Sequence, residues 1–178
     1  MPERLFAKEE IIALFHSLGK LAHERGEILE IGVVGGAAIS LLFAYRKATE
    51  DIDAFALNLD QNTLIHELCQ IIALEFELPE RWLNDASKIY LTTFEKGPLL
   101  IESDGIKVFA PALEQLLAMK LSAWRNEVDQ EDARRVLESL PNDKDEIWTR
   151  VKSFLLPGRG LKAEYAFEDL WSLVHGPK

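Results

Sequence analysis

From Ala7 to Arg25 the apolar residues Ile11, Ile12, Phe15, Leu18, Leu21 and Ala22 recur at the spacing of one helix face, and Gly26 follows where a helix-ending glycine belongs. The pattern predicts an amphipathic first helix. Ile28 to Val34 is a short, β-branched apolar run that stops at Gly35-Gly36, after which Ala37 to Tyr45 has the length and composition of a helix. This reads as strand, tight turn, helix. Asp51 to Leu57 alternates acidic and apolar side chains before turning apolar, which predicts a second strand. Gln61 to Glu75 then carries Leu64, Ile65, Leu68, Ile71 and Ile72 at helical spacing.

Pro79 opens Glu80 to Asp85, predicted as one or two helical turns, and Ile89 to Phe94 follows with strand-like Tyr, Leu and Thr. Leu99 to Ser103 and Ile106 to Phe109 flank Asp104-Gly105, a dipeptide suited to the positive φ of a two-residue hairpin turn. Pro111 is placed to start the next helix, in which Leu113, Leu116, Leu117, Lys120, Leu121 and Trp124 keep the helical period. A further helix begins near Asp129, and Ile147 to Leu155 and Ala163 to Val174 read as helices separated by Pro157-Gly158-Arg159-Gly160. The predicted fold is α/β in its first half (α+β overall), a small mixed β-sheet with flanking helices and a helical C-terminal part. One domain over 1–178 is expected, with a core over about 26–138 and a helical extension over about 139–178.

Charge narrows the partners. Thirty acidic against twenty basic side chains give a formal charge of −10, which argues against a protein that coats nucleic acid, so no DNA partner is expected. RNA contact would need a local patch, for which Arg81, Lys88, Lys107, Arg125, Arg134 and Arg135 are available. The single Cys69 cannot form a disulfide within the chain and fits a reducing compartment. The N-terminal residues alternate charged and apolar, without the apolar core of a secretory signal. The longest apolar run, Ile31 to Tyr45, is shorter than the ~20 residues of a membrane span and is split by Gly35-Gly36. The expected location is the cytoplasm, with no membrane contact.

The sharpest local feature is Thr49-Glu50-Asp51-Ile52-Asp53, because residues i and i+2 of a strand face the same way and set two carboxylates side by side. Paired carboxylates repel unless a cation sits between them, and Mg²⁺ takes hard oxygen ligands while keeping positions open for substrate phosphates. A lone Asp-x-Asp is equally at home in a solvated loop. Upstream, Gly35-Gly36 lies between a predicted buried strand and a helix, where backbone N–H groups and the positive helix end meet phosphate well. Together the two elements place a phosphate cradle beside a metal site. His16, His23, His66 and His175 have no metal spacing and no nucleophile partner; Trp82, Trp124, Trp148 and Trp171 read as packing anchors; Cys69 lies on the apolar side of a helix.

In these residues the chain resembles the nucleotidyltransferase superfamily whose best-known member is DNA polymerase β. Within it the chain looks most like small bacterial nucleotidyltransferase-like proteins related to the toxins of abortive-infection systems. The resemblance is carried by Val33-Val34-Gly35-Gly36-Ala37-Ala38, Lys47-Ala48-Thr49-Glu50-Asp51-Ile52-Asp53, Trp82-Leu83-Asn84-Asp85, and Leu116-Leu117-Ala118-Met119-Lys120-Leu121 continuing to Asp132. It spans about residues 30 to 138. It implies attack of an RNA or protein acceptor on the α-phosphate of a nucleoside triphosphate (NTP), with Asp51 and Asp53 holding Mg²⁺ or Mn²⁺. By the same resemblance Gly35 and Gly36 hold the triphosphate, Thr49 hydrogen-bonds near it, and Lys47 stands where relatives often show Arg. Lys120 contacts the triphosphate or acceptor with Arg125 nearby, Asp132 partners Lys120, and a cognate antitoxin is an implied partner. A full site in the superfamily has a third carboxylate, for which Asp85, Glu95 and Glu102 are candidates. Without one, the alternative is a catalytically inactive module of the same fold that binds a nucleotide or a protein.

Overall fold

The apolar run that ends at Gly35 forms the middle strand of a mixed five-stranded sheet. The computed structural model describes residues 4–85, 88 and 91–176. It divides into two compact units, Met1–Ile89 with Lys96–Pro111 and Tyr90–Glu95 with Ala112–Lys178. In chain order the first unit holds β1 (Phe6–Ala7), α1 (Lys8–Glu24), β2 (Leu29–Val33), α2 (Gly35–Leu42), β3 (Ala48–Thr49), β4 (Ile52–Ala56), α3 (Asn62–Glu75), β5 (Leu83–Asn84), β6 (Lys96–Ser103) and β7 (Ile106–Pro111).

The sheet order is β5-β4-β2-β7-β6. β2 runs antiparallel to β4 and parallel to β7, and β5 adds to the far edge of β4 in parallel. Side chains alternate between the faces of a strand, and Leu29, Ile31 and Val33 of β2, which share one face, are all fully buried. The buried stripe of α1 is Ile11, Leu14, Phe15, Leu18 and Ala22, which explains its helical period. β6 and β7 form the hairpin predicted around Asp104-Gly105, although neither residue takes the expected positive φ; Gly105 is instead needed because a Cβ there would overlap the Gly19 carbonyl.

The predicted mixed α+β class is the observed one, and several local readings are corrected. The helix read from Ala37 begins two residues earlier, so Gly35 and Gly36 are its first turn, and it stops at Leu42. Asp51 precedes its strand instead of opening it. Glu80 to Asp85 is not helical: a turn leads into β5, because the Trp82 indole N–H donates to the Cys69 carbonyl (3.0 Å) and holds the segment extended along β4. In the predicted strand from Ile89 to Phe94, positions 89 and 90 lie outside the described residues and Leu91–Phe94 is irregular. Pro111 ends β7 rather than starting a helix.

The second unit contains α4 (Leu113–Ala123), α5 (Glu127–Glu138), α6 (Lys144–Phe154) and α7 (Gly160–His175). Asn126 and Asp143 cap α5 and α6 by accepting the N–H of Asp129 and Glu146. Leu116, Leu117, Leu121, Val136, Val151 and Phe167 form the apolar centre, and Trp148 stacks on Phe167 at 5.1 Å. Trp148 is thus a packing anchor, as is Trp82 at 2% exposure.

Candidate active site

β2 delivers the chain to Gly35, which adopts φ +61, a left-handed conformation that costs any other L residue. The N–H of Val34 donates to the carbonyl of Asp53 (2.9 Å), fixing the mouth of this turn against β4. A Cβ added at Gly35 would lie 3.0 Å from Oδ2 of Asp53, so the missing side chain is what lets the turn stand against that carboxylate. At Gly36 a Cβ would overlap Oγ1 of Thr49 and lie 2.6 Å from a terminal nitrogen of Arg46. No side chain caps the first turn of α2. Its N–H groups carry the positive end of the helix, which attracts anions.

Thr49 is buried at the end of β3 and donates its hydroxyl to the carbonyl of Asp51 (3.2 Å). Two residues of β3 pair with β1 and hold this segment in register. Gly35, Gly36, Arg46, Thr49 and Asp53 are therefore gathered at one end of β2. Asp51 is exposed and Asp53 half-buried at the start of β4. Arg46 is the cation the sequence reading missed, whereas Lys47 is exposed. Neighbours on an extended segment face opposite ways, so only one of the two can face the glycine turn.

Asn84 of β5 stands in register beside Asp53, and its Nδ2 donates to Oδ1 of that carboxylate at 3.3 Å. The three candidates for a third acid are elsewhere. Glu95 pairs with Arg150, Glu102 pairs with Lys107 at 3.1 Å, and Asp85 is exposed one residue beyond Asn84. Among the described residues no group of three or more His, Cys, Asp or Glu could hold a metal ion. The carboxylate shown beside the glycine turn is that of Asp53, with the exposed Asp51 two positions before it; Mg²⁺ is commonly held by one or two carboxylates with water and substrate phosphates completing its shell. Asn84 also lines a cavity of about 250 Å³, walled by Ala54, Ile65, Cys69 and Arg81.

In the second unit Lys120 is buried, and its Nζ lies 2.6 Å from Oδ2 of Asp132 and 3.2 Å from Oδ1 of Asp129. The predicted Lys120–Asp132 pair is present, and Asp129 joins it. Arg125, with its side chain largely exposed, donates both its backbone N–H and Nε to Oδ2 of Asp129 at 3.2 Å. Burial pushes the Asp129 carboxyl up, but the Lys120 charge and the hydrogen bonds from Arg125 and Lys120 outweigh it, so the group sits below its ordinary value. The N-cap of this helix is Asn126, not either aspartate. Of the basic side chains available for an RNA patch, Arg134 and Arg135 are engaged by Glu131 and Glu138, and Lys107 by Glu102.

The model of the family described as "Nucleotidyltransferase of unknown function (DUF6036)" matches residues 9–144, most of the chain. The chain belongs to this family. Comparison with curated proteins and with solved structures returned no significant match. The nucleotidyltransferase match covers the glycine turn, Asp51, Asp53, Asn84 and the Lys120 cluster alike. No helix among the described residues is long and apolar enough to cross a membrane.

Proposed function

We propose that the protein is a cytoplasmic, metal-dependent nucleotidyltransferase that moves a nucleoside monophosphate from an NTP to an RNA or protein acceptor. The observation that carries this reading is the left-handed turn at Gly35 standing against Oδ2 of Asp53, a phosphate cradle in contact with a metal-binding carboxylate. The first-turn N–H groups of α2 and the Arg46 guanidinium receive triphosphate oxygens there, and Thr49 keeps the strand leading to Asp51 in place. Asp51 and Asp53 hold Mg²⁺ or Mn²⁺, which when bound offsets the charge on the reacting phosphate and the departing pyrophosphate. Lys120, held by Asp129 and Asp132, is assigned to the acceptor or triphosphate, with Arg125 beside it.

The test is transfer of label from each of four α-phosphate-labelled NTPs to total bacterial RNA or protein, with Mg²⁺ or Mn²⁺. The Asp51→Asn/Asp53→Asn double variant should fold and transfer nothing; wild-type rates in it would remove the metal assignment. A toxin-type role held by a cognate antitoxin predicts that expressing the wild type, and not the double variant, arrests growth. A second reading is favoured by the neutral Asn84 beside Asp53: a module that binds nucleotide without transferring it. That reading predicts NTP binding with no label transfer under either metal.

A further inference from the structure

We infer that Lys88 is a phosphate-binding residue whose ammonium meets the triphosphate of an NTP bound at the Gly35 turn. The inference rests on the reading of that turn as a phosphate cradle. Its basis is where the ammonium stands. Asp53 and Phe55 are two positions apart on β4 and therefore share a face of the sheet. On that face Asp53 lies against the Gly35 turn, and Nζ of Lys88 lies 5.9 Å from the centroid of the Phe55 ring. At ~3.3 Å per residue the two β4 positions are about 7 Å apart, within the swing of lysine's flexible four-carbon stem.

The segment that carries Lys88 is fixed to the same strand. Asn84 pairs in register with Asp53, and the N–H of Lys88 donates to the Asp85 carbonyl at 3.1 Å, closing a turn directly after β5. Phe55 is 5% exposed and Lys88 half-buried, so the ammonium has given up part of its water. The ring face returns a modest part of that hydration. Among the described residues no carboxylate pairs with Lys88, whereas Lys107, Arg125, Arg134 and Arg135 each face one. A half-buried cation held on a ring beside a phosphate cradle is matched to an anion that arrives with the ligand. Lysine serves phosphate as a point charge with three rotatable donors, so it needs no fixed fork.

The experiment titrates inorganic triphosphate, with Mg²⁺ present, into the full chain by calorimetry. It is repeated with Lys88→Met, Lys88→Gln and Lys88→Arg, and each variant's fold is followed by its melting temperature. Lys88→Met and Lys88→Gln should melt close to the wild type and bind triphosphate about 10-fold to 100-fold more weakly, as when one charge-assisted hydrogen bond is lost. Lys88→Arg should recover most of the affinity because the charge stays. Wild-type affinity in both Lys88→Met and Lys88→Gln would overturn the role of Lys88 and leave the cradle reading standing. Equal weakening in Lys88→Arg and Lys88→Met would overturn it as well, since the charge would then not be what binds. No triphosphate bound by the wild type would remove the cradle reading and this inference with it.

Discussion

Lys120 is the residue whose loss the structure prices most clearly. Its ammonium is enclosed with Asp129 and Asp132, the three side chains being 10%, 4% and 0% exposed. Replacing it by methionine keeps the length of the stem among its apolar neighbours and removes only the charge. Asp129 keeps its two hydrogen bonds from Arg125, while Asp132 loses its 2.6 Å contact with Nζ. Removing one partner of a buried ion pair costs about 3–5 kcal/mol, and the contacts retained by Asp129 put the expected value near the lower end, about 3 kcal/mol. Urea unfolding followed by far-UV circular dichroism at pH 7 should show the midpoint falling by about 1–2 M. Lys120→Met/Asp132→Asn should recover part of the loss, because it removes a buried negative charge along with the positive one that faced it.

The pH dependence supplies an independent check. Asp129 is held below its ordinary value, so its contribution is fully present above the unfolded-state pKa and is lost as pH falls through the lower folded-state value. The gap between wild type and Lys120→Met should therefore narrow in acid, below about pH 4, as the wild type loses the contribution of Asp129. A loss below about 1 kcal/mol at pH 7, or a gap that widens in acid, would refute the account of a buried, mutually dependent triad.

Gly35→Ala should cost about 1–2 kcal/mol because φ +61 is left-handed, and it should weaken NTP binding by crowding Oδ2 of Asp53; calorimetric titration with a non-hydrolysable NTP checks it. Trp82→Phe removes the N–H that satisfies the Cys69 carbonyl and should cost about 1–3 kcal/mol, read by urea unfolding. Cys69 is buried, and burial pushes its thiol up to about 12, so a disulfide reagent at pH 8 should label it only after denaturant is added; fast labelling of the native protein would contradict this.

What the sequence pattern reveals and what it hides divides along element length. β2, α1 and α3 are long enough for burial to impose a period, and the hairpin is marked by Asp104-Gly105, so the sheet and its helices are legible without coordinates. Asp53 lies on the longer β4, but the segments that carry Arg46 and Asn84 are held by β1, β3 and β5, each of two residues. Two residues carry no period. Glu80 to Asp85 therefore reads as a helix, though the bond from Trp82 to Cys69, thirteen positions back, makes it a strand. The same blindness hides Arg46. It and Lys47 are adjacent cations of equal appeal, and the pairing of Thr49 with Phe6 holds the segment that carries them. Lys120 and Asp132 are the instructive exception: both lie on longer helices, and the pair that the family resemblance implies is present. Charge placement is thus legible where a regular element carries it, and a long-range contact decides it where the carrier is a short strand. That is why Asn84, the side chain that faces Asp53 directly, is invisible as a site residue until β5 is seen against β4.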